Sequence, residues 1–104
     1  MTSHIVKFHV GQIIEHKLFG YRGVIYDVDA EFSGSEAWYN HVAKSGPPKA
    51  EPWYHVLVDG SDATTYVAEQ NILTTRNTAE INHPLVEVYF LTFSSDRYNL
   101  ALKQ

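Results

Sequence analysis

The side chains with the widest chemical reach in this chain are its six histidines, His4, His9, His16, His41, His55 and His83. An imidazole titrates near neutrality and ligates metals. These six are scattered, with no His-Glu-x-x-His and no second ligand at metal-binding spacing, so they read as histidines that hydrogen-bond in place. His16 and His55 each fall in a predicted strand, where that structural role is the common one. Without a cysteine there is no disulfide, thiolate zinc site or cysteine nucleophile. The run DVDAE at 27–31 opens like a calcium loop, with carboxylates at its first, third and fifth positions. It then departs from one: Phe32 stands where the loop needs glycine, and Trp38 where it needs a bidentate glutamate. Asp27 and Asp29 read instead as strand-ending acceptors or as partners for Arg22 or Lys17. Ser33, Ser35, His41 and Asp29 could supply a hydroxyl nucleophile and a base, but no nucleophile elbow surrounds either serine. No glycine-rich loop opens a helix to cradle phosphate. The expectation is a protein without catalytic activity, metal or cofactor.

Binding chemistry is better represented. Arg22 sits beside Tyr21 in the glycine-flanked stretch GYRG, with Lys17 nearby. A cation and an aromatic ring there could hold a backbone phosphate or stack on a base. The competing reading packs Tyr21 and pairs Arg22 with a carboxylate. Glu15, Asp27, Asp29 and Glu31 crowd the same region, and eight basic residues face twelve acidic ones for a net charge of −4. Nucleic-acid binders usually carry a basic footprint, so non-specific DNA affinity should be weak at physiological salt. Tyrosine and tryptophan, by contrast, are strong interface anchors, and aromatic residues make up 13% of the chain. The stretch WYHVLV at 53–58 turns Trp53, His55 and Leu57 to the face of a strand that ordinarily meets water. The expectation is that segment 30–50, the aromatic C-terminal segment or another subunit covers them, the alternative being a free surface that reads DNA or peptide. The candidate binding residues, for DNA or a partner, are Tyr21, Arg22, Lys17, Trp38, Trp53 and His55.

The elements that position these residues are mostly strands. Around Gly11, the run QIIEHK alternates Gln12, Ile14 and His16 with Ile13, Glu15 and Lys17. VIYDVD alternates Val24, Tyr26 and Val28 with Ile25, Asp27 and Asp29, and the glycines of LFGYRG permit the turn between the two runs. Ser33 followed by Glu36 fits a capping box, which predicts a short helix through EAWYNHVAK with Trp38, His41 and Val42 on one face. SGPP at 45–48 ends it. Trp53–Val58 is a third strand, DGSD a turn and TTYVA a fourth strand. AEQNIL at 68–73 suits a single helical turn, and TRNTAEIN a polar loop. HPLVEVYFLTF fits a helix or a strand, and the tail after Ser94 should be mobile unless Tyr98 and Leu100 dock. The predicted core is Ile14, Val24, Tyr26, Val28, Tyr54, Val56, Val58, Val67 and Ile72. At 104 residues and 44% hydrophobic, the chain suits one domain, 1–104. The fold class is mainly β: a small antiparallel β-barrel of SH3-like size, with a long, partly helical insertion between the second and third strands. The start, MTSHIVKFHV, lacks a signal peptide's apolar run. No stretch of ~18 apolar residues suggests a membrane span, and a cytoplasmic location is compatible.

Phe8, Gly11, His16, GYRGV at 20–24, Asp27, Asp29, WYHVLV at 53–58, YVAE at 66–69, Asn71, Ile72, HP at 83–84, Tyr89 and Phe90 occur in an order that resembles one family. The chain is similar, over about residues 8–93, to the YccV-like or hemimethylated DNA-binding domain family, which includes the bacterial heat-shock protein HspQ. The resemblance implies a small β-barrel without enzyme activity. It implies two partners: hemimethylated DNA, and a cytoplasmic ATP-dependent protease or its client proteins, whose degradation the heat-shock branch regulates during heat stress. It also implies a homo-oligomer, a trimer for that branch. HPLVEVYFLTF departs from the polar, charged tail of the enterobacterial heat-shock proteins.

Overall fold

The structure, a computed structural model, describes residues 6–43 and 46–100. Five strands form one antiparallel sheet: β1 (Ile13–His16), β2 (Arg22–Asp29), β3 (Trp53–Val58), β4 (Thr64–Ala68) and β5 (Ile72–Thr74), in the order β4-β3-β2-β1-β5. The β-branched and aromatic residues of these runs suit a pleated surface. A 3-10 turn at Glu69–Asn71 passes the chain from β4 to β5, where the sequence suggests a single helical turn. The predicted barrel does not close: among the described residues no ladder joins β4 to β5. β5 is only three residues long and pairs with β1 on one side, so among the described residues it ends the sheet as an open edge instead of closing it onto β4.

Regular alternation in VIYDVD misleads about β2. A bulge between Ile25 and Asp27 shifts the register against β3, and a bulge places one extra residue on a face. Val24 and Tyr26 thus pack on one side of the sheet, while Ile25 and Val28 pack on the other. Both sides are buried at the centre. One holds Phe8, Ile14, Ile25, Tyr54, Val56, Val67 and Ile72. There the Tyr54 hydroxyl donates to Glu69 at 2.5 Å, and Glu69 also accepts the Lys7 N–H at 3.0 Å, which ties the segment carrying Phe8 to the core. The other side holds Ile13, Val24 and Leu57 beneath Ile81, Phe90 and Tyr98. Val58, predicted for the core, is half-buried at the end of β3.

The C-terminal stretch is helix and then strand. α2 (Val86–Tyr89) leads directly into β6 (Phe90–Ser94), which pairs with β7 (Arg97–Leu100). Tyr98 docks, with its hydroxyl accepting the Ile81 N–H at 2.8 Å, whereas Leu100 stays exposed. The two-residue turn puts Ser95 at φ 55° and Asp96 at φ 64°, the left-handed pair that a tight hairpin requires. Gly11 makes the docking possible: at φ 91°, any Cβ there would overlap the Tyr98 carbonyl, and its own carbonyl accepts the Tyr98 N–H at 2.8 Å.

The connection from β2 to β3 carries α1 (Glu36–Val42). Its cap is Ser35, not Ser33: the Ser35 Oγ accepts the Trp38 N–H at 3.0 Å, while the Ser33 hydroxyl is spent on Asp29. Of the predicted helical face, Trp38 is half-buried while His41 and Val42 are exposed. Lys44 and Ser45, in the predicted helix end and stop signal, lie outside the described residues.

Candidate functional site

The unusual face of β3 is covered within the chain, by two different structures. At one end Trp53 is 1% exposed. It lies edge-on to Phe32 at 4.9 Å and to Trp38 at 6.0 Å, and its indole N–H donates to the Pro48 carbonyl at 3.0 Å. At the other end Leu57 is sealed by the C-terminal segment. His55, between the two covers, is only half-buried. Its ring lies against Tyr66 at 4.5 Å and Tyr26 at 5.7 Å.

His55 belongs to a hydrogen-bond node built on one carboxylate oxygen. Asp29 Oδ2 accepts from the Tyr66 hydroxyl at 2.6 Å and the Ser33 hydroxyl at 2.8 Å, and lies 3.0 Å from His55 Nε2. Burial opposes ionisation of Asp29, but the bonds from Tyr66, Ser33 and His55 outweigh it and hold the carboxyl below its ordinary value. Tyr66 moves the other way: burial, then its bond to Asp29, raises its pKa. Asp27, Asp29 and His55 bring three potential ligand atoms within 4.8 Å of one another. With three donors already on Asp29 Oδ2, this cluster works as a brace linking β2, β3 and β4.

A groove of about 470 Å³ opens beside this node, within the usual range for binding pockets. Trp38, Val42, Ala43 and Pro47 form one wall. Leu18, Phe19, Tyr21 and His16 form the other, and all of β4 lies between them. The rim is apolar: Leu18 is 56%, Phe19 76% and Val42 55% exposed. His16 holds the second wall in shape. Its Nδ1 accepts the N–H groups of Leu18 at 3.0 Å and Phe19 at 3.1 Å, and its ring stacks on Phe19 at 4.7 Å. Burial lowers the His16 pKa, which favours the neutral ring that can accept.

Of the six sequence candidates, the groove gathers Tyr21, Trp38, Trp53 and His55 and leaves out Lys17 and Arg22. Tyr21 packs against the core and its hydroxyl meets Thr65 at 2.7 Å. Arg22 is committed elsewhere. It pairs with Asp59 at 3.0 Å and donates to the carbonyls of Asn77 and Ala79, each at 2.9 Å. Tyr21 and Arg22 therefore do not project together. Phe19, Tyr26, Val42 and Tyr66 also line the groove, outside the six candidates. Two of them have a signal in the sequence: Val42 shares the predicted helical face with Trp38, and Tyr66 is the cross-strand partner that the DGSD turn places opposite His55.

A second concavity, about 390 Å³, has the opposite character. Lys7, His9 and Arg97 line it with the hydroxyls of Thr74, Thr75 and Thr78 and with Asp96. It shares no lining residue with the groove.

Fold and site together define a small antiparallel β domain, sheathed on both sheet faces, with a recessed aromatic groove. The family follows from the sequence match: the model described as "Hemimethylated DNA-binding protein YccV like" fits residues 6–97, and the chain belongs to this YccV-like family. The match reaches past the aromatic segment to the start of β7. Among the described residues no helix is long and apolar enough to cross a membrane.

Proposed function

We propose that the protein acts by binding, without catalysis, and that the groove receives protein. In this reading it regulates the degradation of denatured or specific proteins by a cytoplasmic ATP-dependent protease during heat stress, as its resemblance to the HspQ branch implies. One observation carries the choice of protein: among the described residues, no lysine, arginine, aspartate or glutamate lines the groove. An aromatic, uncharged surface suits apolar side chains and offers nothing to a phosphate backbone. Fluorescence anisotropy with a labelled, reduced and carboxymethylated protein that cannot refold tests this. Saturable binding that survives physiological salt supports the reading. No binding, or binding abolished by moderate salt, overturns it.

A second reading, recognition of hemimethylated DNA, is favoured by the second concavity, where Lys7, His9 and Arg97 stand among threonine hydroxyls. Such groups contact phosphate and sugar. Titration of hemimethylated, fully methylated and unmethylated duplexes at two salt concentrations tests it. Tighter binding of the hemimethylated duplex supports this reading, and equal, negligible affinity for all three at low salt removes it.

A further inference from the structure

We infer that the groove takes an extended, uncharged, apolar stretch of another polypeptide, and takes it by adding a strand to the outer edge of β4. This rests on the protein-recognition reading above and specifies its geometry. The ladder between β3 and β4 shows which main-chain groups are spare. Val58 N–H donates to the Ala63 carbonyl, and Glu69 N–H to the Pro52 carbonyl. Antiparallel pairs alternate between bonded and non-bonded. With Val56 opposite Thr65 and Tyr54 opposite Val67, Thr65 and Val67 turn their groups toward β3, in phase with the Ala63 carbonyl and the Glu69 N–H. Thr64 and Tyr66 turn their N–H and C=O outward, and among the described residues no strand lies beyond β4. All five β4 residues line the groove, so this spare edge runs along its floor.

Exposed edges invite unwanted pairing, and natural sheets blunt them with lysine, proline, a bulge or extreme shortness. The opposite edge, β5, uses shortness, at three residues. β4 reads TTYVA, with no charge and no proline, and its register with β3 runs without a shift.

Charge selects the occupant. Among the described residues, no lysine, arginine, aspartate or glutamate belongs to this lining. A nucleic-acid strand would find no lysine or arginine for its phosphates among these described lining residues, and a charged peptide no fixed counter-ion. A strand laid on β4 alternates its side chains between the two walls, and both walls are apolar. Trp38 and Val42 receive one set, and Leu18, Phe19 and Tyr21 the other. The fitting sequence is therefore an unbroken apolar run, of the kind an unfolded protein exposes, held through its backbone.

The test uses amide hydrogen exchange by NMR on the full chain. The probes are a short acetylated and amidated peptide of valine, isoleucine and threonine and two analogues, N-methylated at alternate residues in the two registers. The parent peptide should slow exchange at the Thr64 and Tyr66 amides about ten-fold or more and leave Thr65 and Val67 unchanged. One analogue should bind like the parent and the other about ten-fold or more weaker, because an added strand offers only alternate N–H groups to its neighbour. Peptide binding that leaves the Tyr66 amide unprotected, or equal affinity for both analogues, overturns strand addition while protein recognition stands. If neither these peptides nor the unfoldable protein bind, both fall. Displacement of the peptide by duplex DNA would give the groove to nucleic acid. Concentration-dependent protection of Tyr66 in the free chain would give it to a second copy. Either result also overturns the proposal.

Discussion

The two concavities differ in what surrounds them as much as in what lines them. The aromatic groove lies beside α1, a helix without a single buried residue, and its cover over Trp53 is made of edge-on ring contacts and a hydrogen bond from the indole to Pro48. The basic concavity borrows Asp96 and Arg97 from the β6–β7 hairpin, which is anchored by the buried Phe90 and Tyr98. One cover is an apron laid over the sheet. The other is part of the core. A lightly anchored cover can adjust to an occupant at small cost, because regions with few buried contacts open most easily.

The largest expected effect tests that anchoring. Tyr98→Ala removes a buried ring packed against Phe90 and Phe93 together with the bond to Ile81, and should cost about 3–5 kcal/mol in urea denaturation. Trp38→Ala should cost less, about 1–2 kcal/mol, yet it should abolish most binding of the unfoldable protein. Equal costs for the two variants would erase the distinction between apron and core. Next in size is an acid effect at the Asp29 node. The folded pKa of Asp29 lies below its ordinary value of 3.8. Its contribution is therefore complete above that value and is lost as pH falls through the folded one. Asp29→Asn should cost about 1 kcal/mol at neutral pH and flatten the acid limb of the stability curve below the ordinary value. An unchanged acid limb would show that the node does not brace the groove. The smallest effect is a gain. Asp96→Gly relieves a left-handed backbone, which should raise stability by about 1 kcal/mol or less. It also removes a carboxylate from the basic concavity, so duplex affinity at low salt should rise slightly. Lower stability would contradict the turn geometry.

Much of the sheet was legible in the sequence. WYHVLV, DGSD and TTYVA mark β3, its turn and β4 because β-branched alternation and turn chemistry agree there. β2 was legible in extent but not in facing. The alternation VIYDVD reads as a regular strand with Val24, Tyr26 and Val28 on one face, and a bulge adds a residue to a face without any change of composition, so the bulge before Asp27 left no trace. Ile81 disappeared into a polar stretch although it is 5% exposed in the structure. The groove was legible only in pieces. Trp53 and His55 announced themselves by sitting on a face meant for water. Phe19, Val42 and Tyr66 come from three distant segments, and only tertiary contact brings them together. Arg22 signalled a carboxylate partner, which Asp59 supplies, but not its other acceptors, the carbonyls of Asn77 and Ala79, since main-chain acceptors carry no mark in a sequence.

Both tryptophans of the chain, Trp38 and Trp53, meet within the apron, 6.0 Å apart and against Tyr66. The protein's indole emission therefore originates at a single spot, where lifting α1 would wet the rings and redden their light. The β6–β7 hairpin holds no indole and stays dark in the same measurement, so a spectrometer can watch one cover open without a label and without interference from the other.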